Sequence, residues 1–319
     1  MTITAGPAAP ATIAIPPRIR RGETLGIVAP AGPVKPNRFA TGIARLGDAF
    51  RLRVADSVLA AHPDGVPSYL AASDDQRVAE LSAMIADPDV RAIVLARGGY
   101  GLMRILPKLD PAPLVRDPKP IVGFSDATAL LAWAYAAGVR GIHGPMVEQL
   151  TDLSDADVAH LIAMLTEPRA AGVRPWRLDA HGSGSLRGPL IAGNLTLFSM
   201  LAGTPWRLPL DGALALIEEI GEKPYELDRY LTQLMLVGEL AKPRAMIVGD
   251  LVRCVDPSEP GASDAALQTI LERLRAAKLP VAVGAPIGHG HRNEAVPFGG
   301  DAILDLDAGT LELRDAAVA

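Results

Sequence analysis

The amino-acid sequence predicts an α/β protein whose N-terminal half is a doubly wound parallel sheet and whose C-terminal half is a mixed α/β region of less regular order. Three observations lead there. Between residues 24 and 137, short apolar runs alternate with stretches of helical period, the pattern of successive βαβ units. The chain is 49% apolar but only 4% aromatic, so its core has to be built from Val, Ile, Leu and Ala, as in buried strands covered by helices. A length of 319 residues suits one or two domains.

The elements follow in order. Residues 1–19, rich in Ala, Pro and Thr, are expected to be a flexible tail. Thr24–Pro30 (TLGIVAP) closes on Ala31-Gly32-Pro33, which reads as a buried strand entering a loop. Helical spacing follows through Phe39, Ile43, Leu46 and Phe50, and then Arg51–Ala55 reads as a second strand. Ser73, ahead of an acidic turn and the series Val78, Leu81, Ile85, is placed to cap a helix. Arg91–Ala96 is a third strand, ending in the loop Arg97-Gly98-Gly99-Tyr100-Gly101. Pro120–Gly123 is a fourth, and a long helix is expected from about Asp126 to Ala137. Residues 20–150 thus form an N-terminal domain.

Residues 151–186, with Pro168, Pro175 and Gly-Ser-Gly-Ser at 182–185, read as a linker. The C-terminal domain, 187–319, carries strand-like runs at 188–193, 213–218, 244–251 and 281–285, with helices from Pro224 and from about Ser263. Asp307-Ala308-Gly309 separates AILDLD from TLELR as the turn of a closing hairpin.

Composition excludes several classes of function. A net charge of −5, with acids and bases interspersed, leaves no basic stripe for nucleic acid; the compact cluster Arg18, Arg20, Arg21 reads as a solvated lead-in to the first strand. Cys254 is the single cysteine, so neither an intrachain disulfide nor a thiolate-rich metal site is possible. Its neighbours Val252, Arg253 and Val255 suggest a half-buried thiol at a strand end. No apolar run approaches the roughly 20 residues of a membrane span. The first fifteen residues lack a leading positive charge, and no apolar stretch follows Arg20-Arg21, so a cytoplasmic protein is expected.

Four segments carry chemistry. In Ile121-Val122-Gly123-Phe124-Ser125-Asp126-Ala127-Thr128 an apolar strand runs straight into a helix with a serine at the junction. A nucleophile on such a turn exposes its hydroxyl and has the following amides, with the positive end of the helix, aimed at the reacting carbonyl. Small residues belong two before and two after the serine, and Gly123 and Ala127 stand there. Alternatively Ser125 only caps its helix. The Arg97–Gly101 loop follows a strand of the same sheet and can supply a second oxyanion donor or be a simple turn; it lacks the Lys-Ser/Thr ending and spacing of a phosphate loop.

A serine also needs a base. Of six histidines, His62, His160 and His181 have polar surroundings and read as surface residues, while His143, in GIHGP, reads as structural support. His289, in Pro286-Ile287-Gly288-His289-Gly290-His291, follows a strand between two glycines, and His291 could form a His-x-His metal pair with it. In Leu214–Glu222 (LALIEEIGE) an apolar strand ends in carboxylates, one of which could fix the base's tautomer; spacing does not choose among Glu218, Glu219 and Glu222.

Together these segments resemble the serine LD-carboxypeptidase family, which includes the microcin C self-immunity peptidases. The likeness runs from about Thr24 to Leu313 and involves IVAPAGP, ARGGYG, PIVGFSDAT, HGPM, GNLTL, IEEIGEKPYELDR and PIGHGHRNEAVPFG in family order. It implies a Ser-Glu-His triad shared by two domains. The GFSD serine is Ser125. The register of Asn293 and Pro297 selects His289 over His291, and the first acid of the Glu-Glu pair is Glu218. The oxyanion donors implied are the amides of Asp126 and Gly99. The fold implied is an N-terminal domain of class I glutamine amidotransferase or flavodoxin type and a smaller C-terminal domain with barrel-like strands. No metal or organic cofactor is expected, and homodimers are.

The function implied is a cytoplasmic carboxypeptidase that releases D-Ala from murein tetrapeptides during cell-wall recycling. Within the family the competing substrate is a peptide-nucleotide conjugate, for which Trp176 or Trp206 could stack a base. Outside it, a two-domain ligand-binding protein without catalysis, or a metal hydrolase using His289 and His291, would share the layout.

Overall fold

A computed structural model describes residues 12–258 and 264–319. The chain forms two compact units, the first comprising residues up to 169 with 294–297 and 316–319, the second comprising 170–293 and 298–315.

Fourteen strands run through the described residues. In chain order they are β1 Thr24–Val28, β2 Arg51–Val54, β3 Val90–Leu95, β4 Ile121–Gly123, β5 Ile142–His143, β6 Gly172–Val173, β7 Asp179–His181, β8 Ser185–Asn194, β9 Leu214–Ile220, β10 Ala245–Val252, β11 Val281–Val283, β12 Val296–Pro297, β13 Gly300–Asp305 and β14 Thr310–Leu313.

The first unit holds a six-stranded sheet in the order β12-β5-β4-β3-β1-β2. β2, β1, β3, β4 and β5 are parallel, and β12 joins β5 antiparallel. This 2-1-3-4-5 order is that of the flavodoxin-like doubly wound fold, whose ligand crevice opens at the C-terminal ends of β1 and β3, where the winding reverses. Leu25, Ile27, Ile93, Val94, Leu95 and Val122 are buried to 1% exposure or less, so the sheet centre is the expected aliphatic core. Its helices follow the sequence pattern: Ser73 Oγ caps helix Asp74–Ala86 by accepting from Gln76 N–H at 3.2 Å.

The second unit is built on a curled eight-stranded sheet, β6-β14-β13-β8-β9-β10-β11-β7. β8, β9, β10 and β11 are parallel; β13 and β14 form the expected hairpin, and β13 pairs β8 antiparallel. β9, in the centre, is buried along six of its seven residues, which is why it reads as a continuous apolar run up to its two acids.

Three expectations need correction. Residues 12–19 are packed against the first unit: Ile19 is fully buried, its N–H donates to Leu165 O at 3.1 Å, and Ala14 bridges Val139. The rest of the expected tail lies outside the described residues. The stretch 151–186 is no plain linker, since Asp155–Thr166 is a helix capped by Ser154 Oγ and burying Val158, Leu161 and Leu165 on the first unit; β6 and β7 follow in the second. Its apolar spacing was outweighed in the sequence by the Pro and Gly downstream. The helix after Ser125 begins as a 3₁₀ turn, Ser125–Ala127, and becomes α-helical at Thr128–Ala136. The expected helix start at Ser263 lies outside the described residues, and the helix is seen over Ala265–Ala276.

Candidate active site

Ser125 stands where β4 ends and helix Thr128–Ala136 begins, with φ 59°, one of three non-glycine residues in the left-handed region among those described. Such a conformation costs roughly 1–2 kcal/mol for an L-residue, and it is the backbone of a nucleophile elbow. The turn forces close approach: a Cβ on Gly123 would lie 2.6 Å from Ala127 Cβ, so the position two before the serine has to be glycine. The helix behind it is buried from Thr128 to Ala134, which holds the elbow against the core. Ser125 is not the helix cap. Phe124 holds the capping position of the 3₁₀ turn and Ala127 that of the α-helix, neither with a capping side-chain hydrogen bond.

The glycine loop after β3 lies beside this elbow. A Cβ on Gly98 would come within 3.2 Å of Ser125 Oγ, and Gly98 O accepts from Gly32 N–H at 3.0 Å, joining the loops that follow β1 and β3 at the switch point. Gly99, with φ 109°, sits over Gly32. Asp126 is 3% exposed, and its Oδ2 accepts from Leu102 N–H at 2.9 Å. Burial pushes its carboxyl up to about 6, against the opposing pull of the Leu102 bond and the Arg77 charge. His143 is fully buried in β5, edge-on to Phe124 at 6.1 Å between ring centres, and thus supports the elbow. His160 is half-buried and bonds Ala295 O at 2.9 Å rather than standing on the surface. His62 and His181 are exposed.

In the second unit, the end of β9 and the loop after β11 form a compact polar group. His289 Nδ1–H donates to Glu218 Oε2 at 2.6 Å; Glu218 is fully buried, and the His289 side chain is 16% exposed. This bond sets the tautomer with the proton on Nδ1 and the lone pair on Nε2. Burial alone would lower the His289 pKa, but the charge and hydrogen bond of Glu218, with Glu219 and Asp250 adding, hold it above the ordinary 6.5. The loop is shaped from both ends. Asn293 Oδ1 accepts from Gly288 N–H at 3.2 Å, and Asp250 Oδ2 accepts from Gly290 N–H at 2.9 Å. His291 is exposed.

The neighbouring acids do different work. Glu219 points to the opposite side of β9, as period-2 alternation requires. It accepts from Thr196 N–H and Oγ1–H at 2.8 Å, from Asn194 Nδ2 at 2.7 Å and from its own neighbour Ile220 N–H at 2.8 Å. It thus ties the GNLTL segment to the strand. Glu222 accepts from Tyr230 Oη at 2.9 Å. Asp250 was missed in the sequence, because one acid inside an apolar strand carries no periodic signal. Cys254 is 2% exposed rather than half-buried, and burial pushes its thiol up to about 11. Trp176 is 4% exposed and Trp206 half-buried. Among the described residues, no three His, Cys, Asp or Glu side chains are grouped to hold a metal ion, and no helix is long and apolar enough to cross a membrane.

An elbow serine in a doubly wound sheet, on a chain that also carries a glutamate-bound histidine, defines a serine-type hydrolase. The chain belongs to the LD-carboxypeptidase family: residues 25–144 match its N-terminal domain and residues 187–304 its C-terminal domain. A Pseudomonas aeruginosa protein named murein tetrapeptide carboxypeptidase is 30% identical, over 88% of this chain and 92% of its own. The muramoyltetrapeptide carboxypeptidase of Oxalobacter formigenes has a solved structure that superposes with a TM-score of 0.79 at 29% identity, covering 92% and 98% of the two chains. The structure of the microcin C7 self-immunity protein MccF, bound to glutamyl sulfamoyl guanosine, gives a TM-score of 0.85 at 22% identity, covering 96% and 99%, and so shares the fold.

Proposed function

We propose that the protein is a serine carboxypeptidase that cleaves the amide between an L-centre and a terminal D-amino acid, releasing D-Ala from murein tetrapeptides in cell-wall recycling. Ser125 is the nucleophile, His289 the base and Glu218 the group that orients it. His289 Nε2 takes the Ser125 proton as the hydroxyl attacks the carbonyl and returns it to the leaving amine; water then repeats the cycle on the acyl-enzyme. The amides of Gly99 and Asp126 hold the oxyanion. Losing one such donor typically costs about 3–4 kcal/mol of transition-state stabilisation.

The observation that carries this reading is the Glu218–His289 hydrogen bond, a fully buried acid spent on the Nδ1 side of one histidine. The chemistry needs no metal or organic cofactor. We take the enzyme to be cytoplasmic and homodimeric, which fractionation and light scattering would measure.

The test is incubation with a murein tetrapeptide, with D-Ala release followed by mass spectrometry. Release by the wild type and not by Ser125→Ala supports both substrate and nucleophile. Absence of release, with cleavage of a peptidyl-sulfamoyl nucleotide instead, would overturn the recycling role in favour of conjugate inactivation.

A further inference from the structure

The peptide group between Gly101 and Leu102 is gripped from both sides by buried charged side chains. Its carbonyl accepts from Arg77 Nη1 at 3.0 Å, and its N–H donates to Asp126 Oδ2 at 2.9 Å. Arg77 is 1% exposed and Asp126 3%. The same guanidinium bonds the carbonyls of Pro30 and Ala72 and pairs with Asp74 at 2.6 Å, so it joins the loop after β1 and the start of helix Asp74–Ala86 to the glycine loop. The grip needs glycine at 101, where φ is 131° and a Cβ would lie 2.7 Å from Leu70 Cδ2 and 2.8 Å from Arg77 Nη1.

The two ends of this arrangement both reach Ser125. Asp126 follows it in the chain, and Gly98, at the near end of the gripped loop, lies against its hydroxyl. A carboxyl is a costly choice for a buried cap, since burial penalises its charged form. Here it faces a guanidinium across one peptide, and a peptide polarised at both ends binds each partner more strongly. The result is a fixed separation between the elbow and the loop.

We propose that Asp126 is a positioning residue for acyl transfer, whose side chain, working with Arg77 through the Gly101–Leu102 peptide, sets the glycine loop against the Ser125 turn. This rests on the reading of Ser125 as nucleophile and gives Asp126 a second role, separate from its backbone amide. Misplacing a catalytic group by about 1 Å can cost around 100-fold in rate.

The experiment measures kcat and KM for D-Ala release, together with amide exchange at Leu102, in wild type, Ser125→Ala, Asp126→Ala and Asp126→Asn. Asp126→Ala should lower kcat about 10- to 100-fold with little change in KM, and should speed Leu102 exchange. Asp126→Asn, whose Oδ1 still accepts, should recover much of both. Wild-type kcat in Asp126→Ala beside an inactive Ser125→Ala would overturn this inference alone. Turnover by Ser125→Ala would overturn it together with the reading it rests on. If Asp126→Ala does not fold, Asp126→Asn decides, since a neutral amide accepts more weakly than a carboxylate: a partial fall in kcat matched by faster Leu102 exchange supports the role, and an unchanged kcat, or a fall with unchanged exchange, refutes it.

Discussion

In the first unit Ser125 is placed by backbone, and in the second His289 is placed by side chains. Ser125 owes its position to a left-handed φ, a glycine two residues before it and a buried helix behind it. His289 owes its position to Glu218 on its ring, Asp250 on the amide after it and Asn293 on the amide before it. A backbone-built feature is local in sequence and hard to change without unfolding. A side-chain-built one is assembled from distant residues and can be dismantled one group at a time.

This difference can be broken experimentally. The largest effect is expected for Ser125→Ala, which should reduce kcat by about 10⁴- to 10⁶-fold while circular dichroism stays unchanged. Glu218→Gln should follow, at about 10³- to 10⁴-fold, because a misoriented imidazole or wrong tautomer costs that much in related triads. Glu219→Gln, one residue away, should act on stability instead: a structural acceptor of four hydrogen bonds loses strength on neutralisation, by about 1–3 kcal/mol in urea melts, with kcat changed far less than in Glu218→Gln. Equal kinetic effects at 218 and 219 would erase the distinction between the two acids.

The pH profile sharpens the same point. The base acts when neutral, so kcat/KM should rise with pH through a midpoint above 6.5, where the acids hold His289. In Glu218→Gln the residual activity should show its midpoint displaced downward, since burial then dominates. A midpoint that does not move would mean that His289 is not the titrating base. The smallest change in stability is expected for Ser125→Gly, which removes the left-handed strain and should raise stability by about 0.5–1 kcal/mol while abolishing activity as Ser125→Ala does.

The same contrast explains what was legible in the sequence. The elbow could be read from Ile121–Thr128 alone, because strand, small residues, serine and helix are contiguous. That the first sheet is parallel and doubly wound followed from βαβ alternation, whereas its strand order is seen only in the fold. The partners of His289 could not be read from spacing: Glu218 and Asp250 lie 71 and 39 positions before it, which is why choosing Glu218 required a family likeness. The side chain of Asp126 could not be read as an acceptor, because its bond to Leu102 spans two βα units. The helix Asp155–Thr166 was obscured by the Pro and Gly that follow it, and the packing of residues 12–19 by their lack of any period.

Cys254 gives the second unit a built-in clock. Its thiol is the only one in the chain, is 2% exposed and has a pKa raised to about 11, so almost none is present as thiolate at neutral pH and the folded form shields it from alkylating reagents. Labelling therefore has to wait for the end of β10 to open. The rate at which a single thiol-selective label adds to the native protein reads that opening directly, with no engineered probe and no second thiol to compete.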